Sequence, residues 1–214
     1  MNKVKLIGTC FLGIVLFSCN NSAEPPKPPP EDTAKLEQND TVDVVANNPY
    51  YTSPDRSPMD MVYFPLDYPK LKMANGKLVA RPLIRVVYSR PHLSRRNFSE
   101  ILAYGVPWRL GANESTEIEF FRDVKIDGKS LKQGRYILYC IPQENEWTIV
   151  INSNTDTWGL QQDTTADVQR VVVPVTRENP RLEFFTITFE NSENGANLVL
   201  AWDDVVAKLG IDVR

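Results

Sequence analysis

The chain has 214 residues, with 27 acidic and 24 basic side chains, one histidine and three cysteines. A net charge of -3 with no basic block excludes nucleic acid as a natural partner, because phosphate contacts dominate that affinity. One histidine and so few cysteines cannot close a His/Cys zinc shell, and no cofactor is expected.

The first residues, MNKVK, are basic, and an apolar run follows from Leu6 to Phe17. A helix needs about 20 residues to cross a bilayer, so this shorter run reads as a secretory signal. Leu16-Phe17-Ser18-Cys19 has the pattern of a lipobox, with an aliphatic and a small residue before the cysteine. The expectation is a signal peptide over residues 1–18, removed before Cys19 receives its acyl chains. Two or three chains, at about 0.8 kcal/mol per buried methylene, make such an anchor effectively permanent. Asn20 follows the cysteine, not the aspartate that commonly retains lipoproteins in the inner membrane. Outer membrane is therefore the expected location, facing either the periplasm or the outside.

Residues 19–48 hold the anchor and a segment rich in proline and poor in large apolar residues, expected as an extended linker. Residues 49–214 suit one domain. Cys10 leaves with the signal and Cys19 is consumed by lipid, so Cys140 stands alone and an internal disulfide is not expected.

The domain reads as β almost throughout. Leu83 to Ser89 is β-branched and aromatic; Thr116 to Phe121 alternates; Asp127-Gly128 marks a turn. Arg135 to Ile141 is apolar on both faces, which suits a strand buried between layers and makes Cys140 a core residue. Trp147 to Ile151, Arg170 to Val173, Phe184 to Phe189 and Leu198 to Trp202 complete the set, the last two joined through Asn194-Gly195. Short helices are expected near Asn97 to Ala103 and near Asp203 to Lys208. Many short strands separated by turns imply an all-β fold, a two-layer antiparallel β-sandwich.

Chemistry-bearing residues concentrate in two stretches. Ser89-Arg90-Pro91-His92 is followed by Arg95 and Arg96, and Tyr104 to Glu114 carries Trp108, Arg109 and Asn113. Arg90, Trp108, Arg109, Asn113 and Glu114 are the candidate ligand-binding set, suited to gripping a carboxylate, a phosphate or a sugar. The competing reading is structural: Arg90, Arg109 and Glu114 as a buried polar clamp that fixes long loops. Trp158-Gly159, after a hydrophilic stretch, borders the same region. No Gly-x-Ser-x-Gly elbow accompanies His92, and no catalytic residue is assigned.

The segments YSRP, YGVPWRLGANEST, FFRDVKIDGKSLKQGRYILYCIP, WTIVINSNTDTWG and DVQRV, in that order, resemble the Bacteroidetes-rich family catalogued as domain of unknown function 2911. The resemblance runs from about Met59 onward. It implies a β-sandwich, secreted or lipid-anchored, and supplies no activity. Where the family pattern has a Gly-Arg pair after SRP, this chain has Ser94-Arg95-Arg96. Three functions follow as expectations: a non-catalytic envelope protein that binds a protein partner; a module for a glycan or a small anion; or a hydrolase built around His92.

Overall fold

The computed structural model describes residues 49, 52–53, 55–75 and 81–213. The expected signal peptide over residues 1–18, the expected lipidation of Cys19 and the expected linker through residue 48 lie outside the described residues. From Thr52 onward the chain forms one compact unit.

Among the described residues, nine strands make one antiparallel sheet: β1 (Met59–Phe64), β2 (Ile84–Ser89), β3 (Thr116–Phe120), β4 (Val124–Ile126), β5 (Lys129–Leu131), β6 (Gly134–Pro142), β7 (Glu146–Asn152), β8 (Asp167–Ser192) and β9 (Gly195–Asp212). Their order is β1-β2-β3-β6-β7-β8-β9-β4-β5. The strand β8 belongs to both layers of the expected sandwich. Its first part, to Pro174, pairs with β7, and the part from Val175 pairs with β9. Side chains from the two layers share one core. Tyr88 meets Phe185 edge-on at 5.8 Å, and Phe64 lies 5.7 Å from Phe189. The Tyr88 hydroxyl donates to the carbonyl of Ile187 at 3.2 Å, and burial raises its pKa.

Period-two burial explains the strands. In β2 the residues Ile84, Val86 and Tyr88 face the core, and in β3 Thr116, Ile118 and Phe120 do so. The strand β6 is buried on both faces, and Cys140 is a core residue whose thiol burial pushes well above its usual value. The expectation of a helix over Asp203 to Lys208 is wrong. Those residues continue β9, and the reason is a change of phase. Ala196, Leu198, Leu200 and Trp202 face the core in even register, then Val205, Ala207, Leu209 and Ile211 in odd register. Asp203, at φ 59, absorbs the extra residue as a bulge. A local run that switches register looks aperiodic in the sequence, and so mimics a short helix.

Two segments expected as separate strands, Arg170 to Val173 and Phe184 to Phe189, are parts of the single β8, with register shifts between Arg177 and Thr186. The hairpin into β9 forms where expected, but its two connecting residues are Glu193 and Asn194, with Ser192 opposite Gly195. Gly195 is needed for close approach: a Cβ there would stand 2.3 Å from the carbonyl oxygen of Ile211.

Helix α1 (Tyr68–Asn75) was not legible, and α2 (Phe98–Ile101) falls inside its expected range. Nearly all of α1 faces solvent, so no apolar stripe announces it. In α2, Asn97 and Glu100 form a capping box. Phe98 is buried, and its backbone N–H donates to Asp203 at 3.2 Å. Asp203 also accepts a hydrogen bond from Arg181 at 2.7 Å, which holds its carboxyl below the usual range. The same bulge that flips β9 thereby ties α2 to the sandwich.

Candidate functional site

The segment between α2 and β3 carries the family-like motif, and much of it serves to turn the chain. Trp108 makes an isolated β-bridge with Cys140, with reciprocal hydrogen bonds of 2.7 and 2.9 Å. This bridge carries Trp108 into an aromatic cluster. Its ring lies 4.8 Å from Phe185, 5.6 Å from Trp202 and 6.1 Å from Trp147. Leu110 and Asn113 then adopt left-handed backbone, at φ 54 and 65. The carbonyl of Leu110 accepts from the Thr116 hydroxyl at 2.6 Å, and Gly111 packs against the Ser89 backbone. Where the chain turns sharply inside the fold its backbone groups need partners, and these bonds supply several of them.

The five candidate residues separate. Arg90 donates to the carbonyl of Phe185 at 3.2 Å, to Asp60 at 3.1 Å and to the Thr186 hydroxyl at 3.0 Å. Its guanidinium also lies 5.9 Å from the Phe184 ring. It staples β1 and β2 to β8 and lines neither groove described below. Asn113 donates to Asp55. Arg109 and Glu114 do not pair, so the expected clamp is absent as drawn: Glu114 is exposed, and Arg109 donates to the Trp158 carbonyl at 3.3 Å. The clamping function falls instead to Arg90 with Asp60 and to Asn113 with Asp55.

The loop after β7, residues 153–163, brings the remaining candidates together. It is pinned by Asn152 donating to the Asp163 carbonyl at 2.8 Å and by the Ser115 hydroxyl donating to Thr157 at 2.7 Å. Gln162 donates to the Gly159 carbonyl at 2.9 Å. Beneath it, Tyr139 donates to Asp167, and burial together with that bond pushes Tyr139 up to about 12. Gly159, at φ 78, lies so close that a Cβ would meet Arg109 Cβ at 3.0 Å. On this fixed loop Trp158 is 62% exposed and Leu160 is 74% exposed.

The two halves of the loop line different grooves. One groove, of about 440 Å³, has Glu114, Glu117, Asp156 and Trp158 over a floor that includes Val87 and Ile137. Glu117 is engaged by Arg135. The other, of about 260 Å³, is lined by Ile101, Leu102, Trp108, Arg109, Leu160 and Trp202, among others. So Trp108 and Arg109 share one groove and Glu114 faces the other. Asp156, Leu160, Ile101 and Leu102 were not singled out from the sequence. Leu160 had a usable signal, being apolar within a polar run beside Trp158.

His92 bridges Phe184 and lies 3.6 Å from the Glu183 carboxylate, through Nδ1. Just beyond it, Ser94 and Arg95 both take left-handed backbone, at φ 52 and 66. The Arg96 N–H donates to the Leu93 carbonyl at 3.1 Å, closing a turn whose two central residues favour glycine. Among the described residues, no three His, Cys, Asp or Glu side chains converge as a metal site, and no helix is long and apolar enough to cross a membrane.

Neither a curated protein nor a solved structure matches the chain. Residues 71–211 match the family described as protein of unknown function (DUF2911), a span from α1 through nearly all of β9, and the chain belongs to that family.

Proposed function

We propose that the chain is an outer-membrane lipoprotein, anchored through Cys19, whose sandwich is a non-catalytic module that binds a protein partner in an envelope assembly or transport complex. The anchor rests on the signal and lipobox pattern of residues 1–19. Binding rests on one observation: Trp158 and Leu160 stand out in solvent on a loop held by hydrogen bonds. Two large apolar side chains exposed two positions apart on such a loop offer surface to a partner. Fixed, exposed tryptophan is the residue type that dominates protein interfaces, and rigidity lowers the entropic cost of binding.

The test is Leu160→p-benzoylphenylalanine in cells that produce the full chain. Irradiation should give one discrete protein adduct, which Trp158→Ala diminishes, and the same label at exposed Lys132 should give none. Absence of any adduct, or identical adducts at both positions, would defeat the reading. Anchoring is checked separately by Cys19→Ala, which should release the chain from the membrane fraction.

A second reading, a glycan or small-anion module, draws on Arg109, which forms no ion pair among the described residues and faces a groove. Inorganic phosphate or an oligosaccharide that shifts amide resonances around that groove would favour it.

A further inference from the structure

The smaller groove specifies the chemistry of what enters it. Of its lining residues, Pro91, Ile101, Pro107 and Leu160 present apolar surface and Trp108 presents its ring, with buried Leu102 and Trp202 behind them. Both indole N–H groups are already used, that of Trp108 by the Gly111 carbonyl at 3.1 Å and that of Trp202 by the Glu183 carbonyl at 3.1 Å. The guanidinium of Arg109 is therefore the side-chain polar group left to greet a ligand. One of its N–H donors goes to the Trp158 carbonyl, and no carboxylate among the described residues pairs with it. Glu114, five positions along, faces the other groove. Gly159 packs against the arginine's aliphatic stem and holds it in place. An arginine fixed beforehand loses little freedom on binding, and its planar fork matches a carboxylate.

We propose that this groove receives an acidic, apolar segment of the protein partner, its carboxylate pairing with Arg109 and a neighbouring apolar side chain covering Ile101, Pro107 and the Trp108 ring. The inference rests on the partner reading above. Charge complementarity selects this occupant. A sugar needs several convergent polar groups and would find one. A bare phosphate would leave Ile101, Pro107, Leu160 and the Trp108 ring uncovered.

Two pentapeptide probes, acetyl-Gly-Phe-Glu-Leu-Gly-amide and its glutamine counterpart, test this against the full chain by amide chemical-shift titration. The glutamate peptide should bind about tenfold more tightly or better, as expected for a charge-assisted hydrogen bond, and move the Gly159, Leu160 and Leu102 resonances. Arg109→Gln should make the two peptides equal, while Arg109→Lys should keep part of the preference. Because the decisive change is in the peptide, a loosened variant does not decide the result. Equal affinity for both peptides, no saturable shift with either, or a stronger shift with maltohexaose or inorganic phosphate overturns the inference. An adduct from position 160 that persists in Arg109→Gln leaves the partner reading standing while this inference falls; no adduct in the otherwise wild-type chain removes both.

Discussion

Trp147 and Trp158 are eleven positions apart and occupy opposite environments. Trp147, on β7, is wholly buried, stacks on Phe98 at 5.8 Å and meets Trp108 edge-on. Trp158, on the following loop, is 62% exposed, and its carbonyl rather than its ring holds the structure together. The difference teaches that aromatic content alone says nothing about role. A ring whose neighbours are other core rings stabilises the fold, whereas a ring held outward by its own backbone is available to something else.

The contrast can be broken by substitution. Trp147→Ala should cost about 3–5 kcal/mol, the range for losing a large core aromatic, and thermal unfolding should register it. A loss below about 1 kcal/mol would mean that the aromatic cluster is not the keystone of the sandwich.

Asp203 sharpens the comparison from the core side, since it links the bulge of β9 to α2. Asp203→Asn should cost about 2 kcal/mol at neutral pH by weakening charge-assisted bonds to Arg181 and to the Phe98 N–H. Its carboxyl is held below the usual range, foremost by the Arg181 hydrogen bond. The stabilisation is thus complete above the ordinary carboxylate value of about 4 and disappears as pH falls through the lower folded value. Wild-type stability should drop more steeply below about pH 4 than that of Asp203→Asn; parallel acid profiles would show that the pair contributes nothing.

Ser94→Gly should have a smaller effect and the opposite sign. Left-handed backbone costs a non-glycine residue about 1–2 kcal/mol, and glycine's extra unfolded freedom takes back about 0.5–1, so a gain of about 0.5 kcal/mol is expected in chemical denaturation. Destabilisation would mean that the Ser94 side chain or its turn does something further.

At the bottom of the scale, Trp158→Ala should change stability by less than about 0.5 kcal/mol while diminishing the adduct from position 160. If instead it destabilises as Trp147→Ala does, the two tryptophans do the same work and the partner surface loses its main support.

The candidate site was partly legible. Alternation in Thr116 to Phe120 and Trp147 to Ile151 announced strands whose buried faces the fold confirms. The motif from Trp108 to Glu114 was visible as chemistry, yet its residues diverge: Trp108 goes to the core, Asn113 to Asp55, Arg109 and Glu114 to separate grooves. Residue type could not separate them, because an arginine that staples strands, such as Arg90, and one that lines a groove look alike in sequence.

The sequence by itself determined the all-β class, the placing of Cys140 within a doubly buried strand, and membership of a family through its ordered motifs. These depend on local alternation and composition, which need no partner to be read. Only the tertiary structure decided that β8 serves both layers, that Asp203 switches the phase of β9, and that a loop carrying Trp158 and Leu160 divides a groove lined by carboxylates from one lined by Arg109. Each of these is set by contacts between residues distant in the chain, and whether a side chain is spent on the fold or left for a ligand depends on which of those contacts form.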